Sequence, residues 1–473
     1  MEGLGEDLKM STWELRGEKM TETKERLEEL AKMILDKAKQ MGADHAHVNI
    51  FTSEDIGTRF GENHITQNVY ETSTGFFLKT QIGQKVSGYQ GSNPNERNID
   101  SMLEDALLLT KKSEDDTEFP GFISDQMEFP DLKVPINDFD PEDIASGVQS
   151  IVETAKNTDS KISAVAGNLR FVKSHLLMMN TNGVSGYRGN SWLTSVINVA
   201  ATEGTGESRS TGRIAGRTID ALKLPEEAEQ IASRAVKGLN QQEMEIGAYE
   251  AVLSPLAFSA LWFFVAFATS SEGLITHSSF LKDKLGEQIF DSRLTAIDDT
   301  LNPDHLGARN FDSELVATNP IVYIEEGVLK DFAYNLRNAK KLGVESNGRN
   351  FQGFQGEMPL FTATTIKTGS KSEEDLIASV DDGIYISNLF YNNFVNPPQG
   401  ICTGLTRDGL FRIKNGEIVH SLKNFRWTDS LQAIFKDTEP GNNPKQVAGF
   451  FGGSAILPSI RVSHFNLSSK GKH

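Results

Sequence analysis

The side chains able to do chemistry are thinly spread in this chain. His45 and His47, in DHAHVNI, are two residues apart. On a strand they share one face and can chelate, although nothing nearby in sequence supplies a third ligand; a half-exposed strand pair is the alternative. The densest metal-capable run is IDDTLNPDH, with Asp298, Asp299, Asp304 and His305. Asn-Pro-Asp is equally a turn former whose carboxylates cap local backbone. A hydrolase with a metal of its own would need Asp298, Asp299 and His305 to converge. A zinc-peptidase helix needs two convergent histidines and an adjacent glutamate. None of the nine histidines is followed by Glu, and no two stand at helical ligand spacing. The glycine clusters NGRNFQGFQG and VAGFFGGS lack the spacing of a phosphate-binding or dinucleotide loop. Cys402 has no nucleophile context and reads as a small buried apolar residue.

The totals narrow the class. A chain of 473 residues suggests two or three domains. With 47 Lys and Arg against 65 Asp and Glu, the net charge of -18 repels a phosphate backbone, so no direct nucleic-acid partner is expected. One cysteine excludes a disulfide framework and suits a reducing compartment. The first residues are charged in both signs with no apolar leader, and a cytoplasmic location is expected. The most apolar stretch, SALWFFVAFATSSEG, is too short to span a membrane and reads as a core helix, with Ser254 as N-cap and Pro255 in the first turn. Apolar residues occur all round it, which predicts burial on every side.

The elements around these residues read as α+β. After a charged extension (1–20), a first α+β unit (21–112) opens with an amphipathic helix ending at Gly42, followed by β runs and a helix over Ile99–Thr110. A connection rich in acids and prolines (113–140) leads to a second α+β unit (141–240) with a helix from Pro141, strands around Asn180–Gly183 and a helix from Pro225. Both units are expected to carry antiparallel sheets and amphipathic helices. Residues 241–473 read as a β-rich, barrel- or sandwich-like domain with hairpin turns at Asn415-Gly416 and Glu326-Gly327 and a short helix within Lys371–Val380.

The runs GFQGEMPLFTATTIKTGSKSEEDLIASVDDGIYISN, TGLTRDGLFRIKNGEIVHSLKN and GGSAILPSIRVSHFNLSS resemble the TldD/PmbA family, metallopeptidases once called modulators of DNA gyrase. The likeness extends upstream through SSFLKDKLGEQIFDSRLTAIDD and more loosely to TRFGENHITQNVYETSTGFFLKT. In the family's TldD branch a helix carries His-Glu-x-x-x-His, and a cysteine near the C-terminus completes the zinc site. Counting back without gaps from Ser278-Ser279-Phe280 and Asp298-Asp299 puts Trp262, Phe263 and Phe267 at those positions. The matching C-terminal region, Val447 to Ser454, has no cysteine. The resemblance therefore implies the TldE/PmbA branch: no zinc in this chain, a zinc-holding TldD-like partner, and unfolded or small peptides as substrate. The alternatives are the autonomous hydrolase, a non-enzymatic binding or regulatory protein, and a homo-oligomer when the chain is alone.

Overall fold

The computed structural model describes residues 20–353, 356–448 and 454–471. The architecture is α+β, with a β-rich C-terminal region. Its contacts divide it into two units interleaved in sequence, 1–55, 70–126 and 172–190 against 56–69, 127–171 and 191–473.

In the first unit, helices Met20–Gln40 and Ile99–Lys112 cover strand residues. Leu27, Ile34 and Ala38 of one helix and Leu103, Ala106 and Leu107 of the other join Val48, Ile50, Phe76 and Leu78 in a single core. The three-and-four spacing meets alternate strand positions, the arrangement that buries one face of each element. Here strand Lys85–Ser92 pairs antiparallel with the Gly75–Ile82 part of strand His64–Ile82. In the second unit, strand Gly206–Gly216 pairs antiparallel with the Leu193–Glu203 part of strand Ser185–Glu203 and is absent from the sequence reading.

In the second unit, helix Pro141–Thr158 starts on a capping box between Asp140 and Asp143 and packs Ile144, Val148 and Ile151 inward. It lies against helix Leu224–Lys237, which in turn covers strand Gly206–Gly216. The C-terminal region holds two large sheets. One has nine strands, running from Leu389–Asn396 at one edge to Glu417–Ser421 at the other; the second has six, with Ala296–Asp298, Ala363–Ile366 and Ser454–Leu457 side by side. Most neighbours are antiparallel, but Ala363–Ile366 runs parallel to Ser454–Leu457, and Gly247–Leu253 parallel to Asp382–Ile386. Helix Pro255–Ala268 contacts Gly247–Leu253 and Leu389–Asn396 of the larger sheet and Lys445–Ala448 and Ser454–Leu457 of the smaller. Contact with both sheets gives it more than one apolar side, which is why no two-faced pattern is visible in its sequence.

Candidate functional site

The aromatic helix is fixed at its start. Ser254 Oγ accepts from Ala257 N at 3.2 Å, and its hydroxyl donates to Ser387 O at 2.6 Å. The cap therefore ties the helix to the chain just beyond strand Asp382–Ile386. About two turns on, Trp262 is 1% exposed, its ring edge-on to Phe258 at 5.6 Å and Phe435 at 5.7 Å. Its Nε1–H donates to Tyr323 Oη at 2.9 Å, and that oxygen lies 2.9 Å from Thr364 Oγ1. Burial pushes the Tyr323 phenol well above its usual range, so it stays neutral. Trp262 is thus a core residue with its polar atom satisfied.

The other two aromatic positions differ from it. Phe263 is half-buried, with Phe264 at 5.3 Å and Phe267 at 6.0 Å between ring centroids. Phe267 is 39% exposed. Leu256, Ser259, Ala260, Phe263 and Phe267 form a stripe at three-and-four spacing that neither sheet covers fully. Burial on every side is therefore corrected to burial on all but one face. Zinc takes nitrogen, sulfur or oxygen lone pairs. Phenyl rings have none, and the indole nitrogen lends its pair to the ring and its proton to Tyr323. The side chains at these three positions do not fit a zinc ion. Of the stretch Val447 to Ser454, residues 449–453 lie outside the described residues, as does the extension up to residue 19.

The Asp298–His305 segment has lone pairs, but those of Asp298, Asp299 and His305 are engaged. Asp298 is fully buried: Oδ1 accepts from Ala363 N at 2.7 Å, and Oδ2 faces Arg349 Nε at 2.6 Å and Arg309 Nη2 at 3.4 Å. Arg349 is itself fully buried; it also donates to Asn347 O at 2.6 Å and to Asn319 O. Its burial lowers the guanidinium pKa, and Asp298 acts against that shift. Asp299 Oδ2 accepts from Asn302 Nδ2 at 3.0 Å, and Asn302 Oδ1 accepts from Asp304 N at 3.1 Å, the local turn bonding that Asn-Pro-Asp favours.

His305 Nδ1 accepts from Gly307 N and from Ser454 Oγ, each at 3.0 Å, which leaves Nε2–H to donate to Thr364 O at 3.2 Å. Burial lowers the pKa of this ring, in keeping with a neutral tautomer fixed by two donors and one acceptor. The Ser454–His305 contact has the polarity of a nucleophile and its base. However, both side chains are buried, and the serine shares its acceptor with a backbone N–H.

The remaining sequence candidates are apart from these. His45 is exposed, whereas His47 is buried, bonded to Asn49 Oδ1 at 2.7 Å and stacked on Phe122 at 5.9 Å. Cys402 is buried in strand Ile401–Thr406 and its thiol is pushed up to about 12 by burial, which suppresses the reactive thiolate. Among the described residues no three His, Cys, Asp or Glu side chains are grouped to hold a metal ion. No helix among them is long and apolar enough to cross a membrane. Tyr323 and Arg349, which hold the two clusters in place, carry no signal in sequence that singles them out.

Residues 246–469 match the PmbA/TldA metallopeptidase C-terminal domain and residues 134–240 its central domain. A metalloprotease of Methanocaldococcus jannaschii is 24% identical over 392 residues, 81% of this chain and 84% of that one. A metalloprotease PmbA homolog of Buchnera aphidicola is 25% identical over 448 residues, 89% of this chain and 93% of its own. The fold is shared with the crystal structure of TldE from Thermococcus kodakarensis, at a TM-score of 0.83 and 19% identity, over 93% of this chain and 99% of that chain.

Proposed function

Because the chain belongs to the PmbA/TldD metallopeptidase family, we propose that it is a TldE/PmbA-like subunit of a heteromeric peptidase. In this reading it holds no zinc itself, associates with a TldD-like subunit that does, and helps enclose unfolded or small peptides for cleavage in the cytoplasm. The observation that carries the reading is Trp262: at the position where the family resemblance places the first histidine stands a buried indole bonded to Tyr323. A residue packed in this way belongs to the framework, and reverting it would leave a cavity or an unpaired polar group in the core.

An autonomous metal hydrolase finds less support. Its donor set, Asp298, Asp299 and His305, is occupied by two guanidinium groups, a local turn and three hydrogen bonds to the imidazole.

The test is co-expression with a TldD-type protein from the same source. The two chains should purify together and cleave casein-derived peptides in a zinc-dependent manner, while the lone chain does not. Cleavage by the lone chain with stoichiometric metal would overturn the proposal.

A further inference from the structure

The nine-stranded sheet of the second unit ends in two unlike edges. Strand Glu417–Ser421 carries Glu417 and His420 and is flanked by Lys414 and Lys423, charges of the kind that discourage an edge from pairing. Strand Leu389–Asn396, paired on one side only among the described residues, has no such charge. It lies within residues 383–406, a run of 24 without Asp, Glu, Lys, Arg or His. At the chain's 24% of charged residues about six are expected there, so this edge departs sharply from the rest of the sequence.

Nor are its apolar side chains all turned inward. Phe394 packs on Phe264 of the aromatic helix, with ring centroids 4.8 Å apart, but Phe390 is 42%, Val395 59% and Tyr391 70% exposed. Tyr391 stands at a bulge, where pairing with strand Ile401–Thr406 shifts register between Phe390 and Asn393, and its φ of 53° is left-handed. That conformation is costly for a bulky residue. Asn393 Nδ2 donates to Tyr391 O at 3.2 Å and holds the bulge, while the Arg407 guanidinium lies 4.1 Å from the centre of the Phe390 ring and orients it. Bulges commonly blunt an edge, whereas this one turns a tyrosine outward. Single exposed apolar residues need no explanation, but three within six positions form a patch.

Charge and symmetry point to its occupant. Two copies of this chain carry -18 each and repel one another, so they approach most readily where acids are absent. At a twofold axis a surface meets itself, which an uncharged one does without opposing like charges. The strand also reads alike in both directions about its midpoint. Positions 390 and 395, 391 and 394, and 392 and 393 then pair apolar with apolar and asparagine with asparagine. The exposed parts of Phe390, Tyr391 and Val395 offer on the order of 300 Å², at roughly 150–250 Å² per whole aromatic side chain. That is an apolar centre on the scale of a standard interface of about 800 Å² per partner.

We propose that strand Leu389–Asn396 is a homodimer edge, at which two copies of the lone chain join about a twofold axis with Tyr391 at the contact. The proposal does not rest on the heteromeric reading.

Sedimentation equilibrium of the purified full chain, from about 1 to 100 μM, tests it. A monomer–dimer equilibrium is expected, and it should tighten as salt is raised, because screening relieves repulsion between the copies while no ion pair at the contact is lost. Tyr391→Lys and Val395→Lys set like charges across the axis and should each weaken the dimer roughly a hundredfold. Both side chains are exposed, so the variants should keep the parent's circular dichroism. Val419→Lys, on the opposite edge, should leave the dimer unchanged. A parent that stays monomeric, an open-ended series of larger species, a dimer weakened by salt, or Tyr391→Lys and Val395→Lys dimers as tight as the parent's would overturn the assignment. So would a monomeric parent whose Tyr391→Lys variant alone loses a co-expressed TldD-type protein, since the strand would then belong to that partner. Only the lone chain is weighed, so failure here leaves the heteromeric reading standing.

Discussion

The aromatic helix and the Asp298–His305 segment fail as metal sites for opposite reasons. The helix presents rings without lone pairs, one buried, one half-buried and one exposed. The acidic segment presents lone pairs in abundance, yet those of its candidate ligands are engaged: Asp298 is ion-paired with Arg349 and accepts from Arg309 and a backbone amide, Asp299 accepts from Asn302, and His305 accepts from Gly307 and Ser454. The difference teaches that residue type sets what a side chain can do, while the state of its lone pairs sets whether it is available. A buried carboxylate between two guanidinium groups is an anchor, because removing it leaves cations uncompensated in low dielectric.

That comparison can be broken most directly at Asp298. Asp298→Asn should cost about 3–5 kcal/mol by stranding Arg349 and Arg309. A denaturant midpoint unchanged from the parent would mean the carboxylate is not holding them. On the other side, Trp262→Ala removes a buried indole and its bond to Tyr323, and about 3–5 kcal/mol is expected from large-to-small core substitutions. Phe263→Glu, on the half-covered face, should cost less, about 1–3 kcal/mol, since its carboxylate is only partly desolvated.

His305 sharpens the contrast through pH. Its folded pKa is lowered by burial, so near and below the ordinary value of about 6.5 the unfolded chain binds the extra proton more readily. The stability contributed by the neutral ring is therefore present above that pH and lost as pH falls through it. The slope is at most about 1.4 kcal/mol per unit. Unfolding midpoints measured from pH 7.5 to 5 should fall more steeply for the parent than for His305→Gln. The smallest effect is expected at the open end of the stripe, where Phe267→Glu should change stability by no more than about 0.5 kcal/mol. A large loss there, read by the same unfolding curves, would mean that this face is covered.

Much of the fold's outline follows from local signals in the sequence. The helix beginning at Pro141 and the one ending in Lys237 follow their apolar spacing. Asn415-Gly416 and Glu326-Gly327 form hairpin turns with φ of 50°, 79°, 49° and 77°, the left-handed values that a two-residue turn demands. Strand Gly206–Gly216 was not legible because ESRSTGRIAG has little β-branched or aromatic content and takes its pairing from Ser185–Glu203. At the candidate site, the aromatic substitution was legible through family resemblance. Its consequences were not, because Trp262 meets Tyr323 across 61 residues and Asp298 meets Arg349 from another part of the chain. The open stripe was hidden for a related reason: which face of an all-apolar helix stays uncovered depends on where the sheets lie.

Zinc bound per isolated chain, measured by elemental analysis after equilibration with the ion and dialysis, tests the central claim most directly. The account predicts far less than one ion per chain, and the same result for Asp298→Asn if that variant folds. One tightly held zinc ion per lone chain would contradict it.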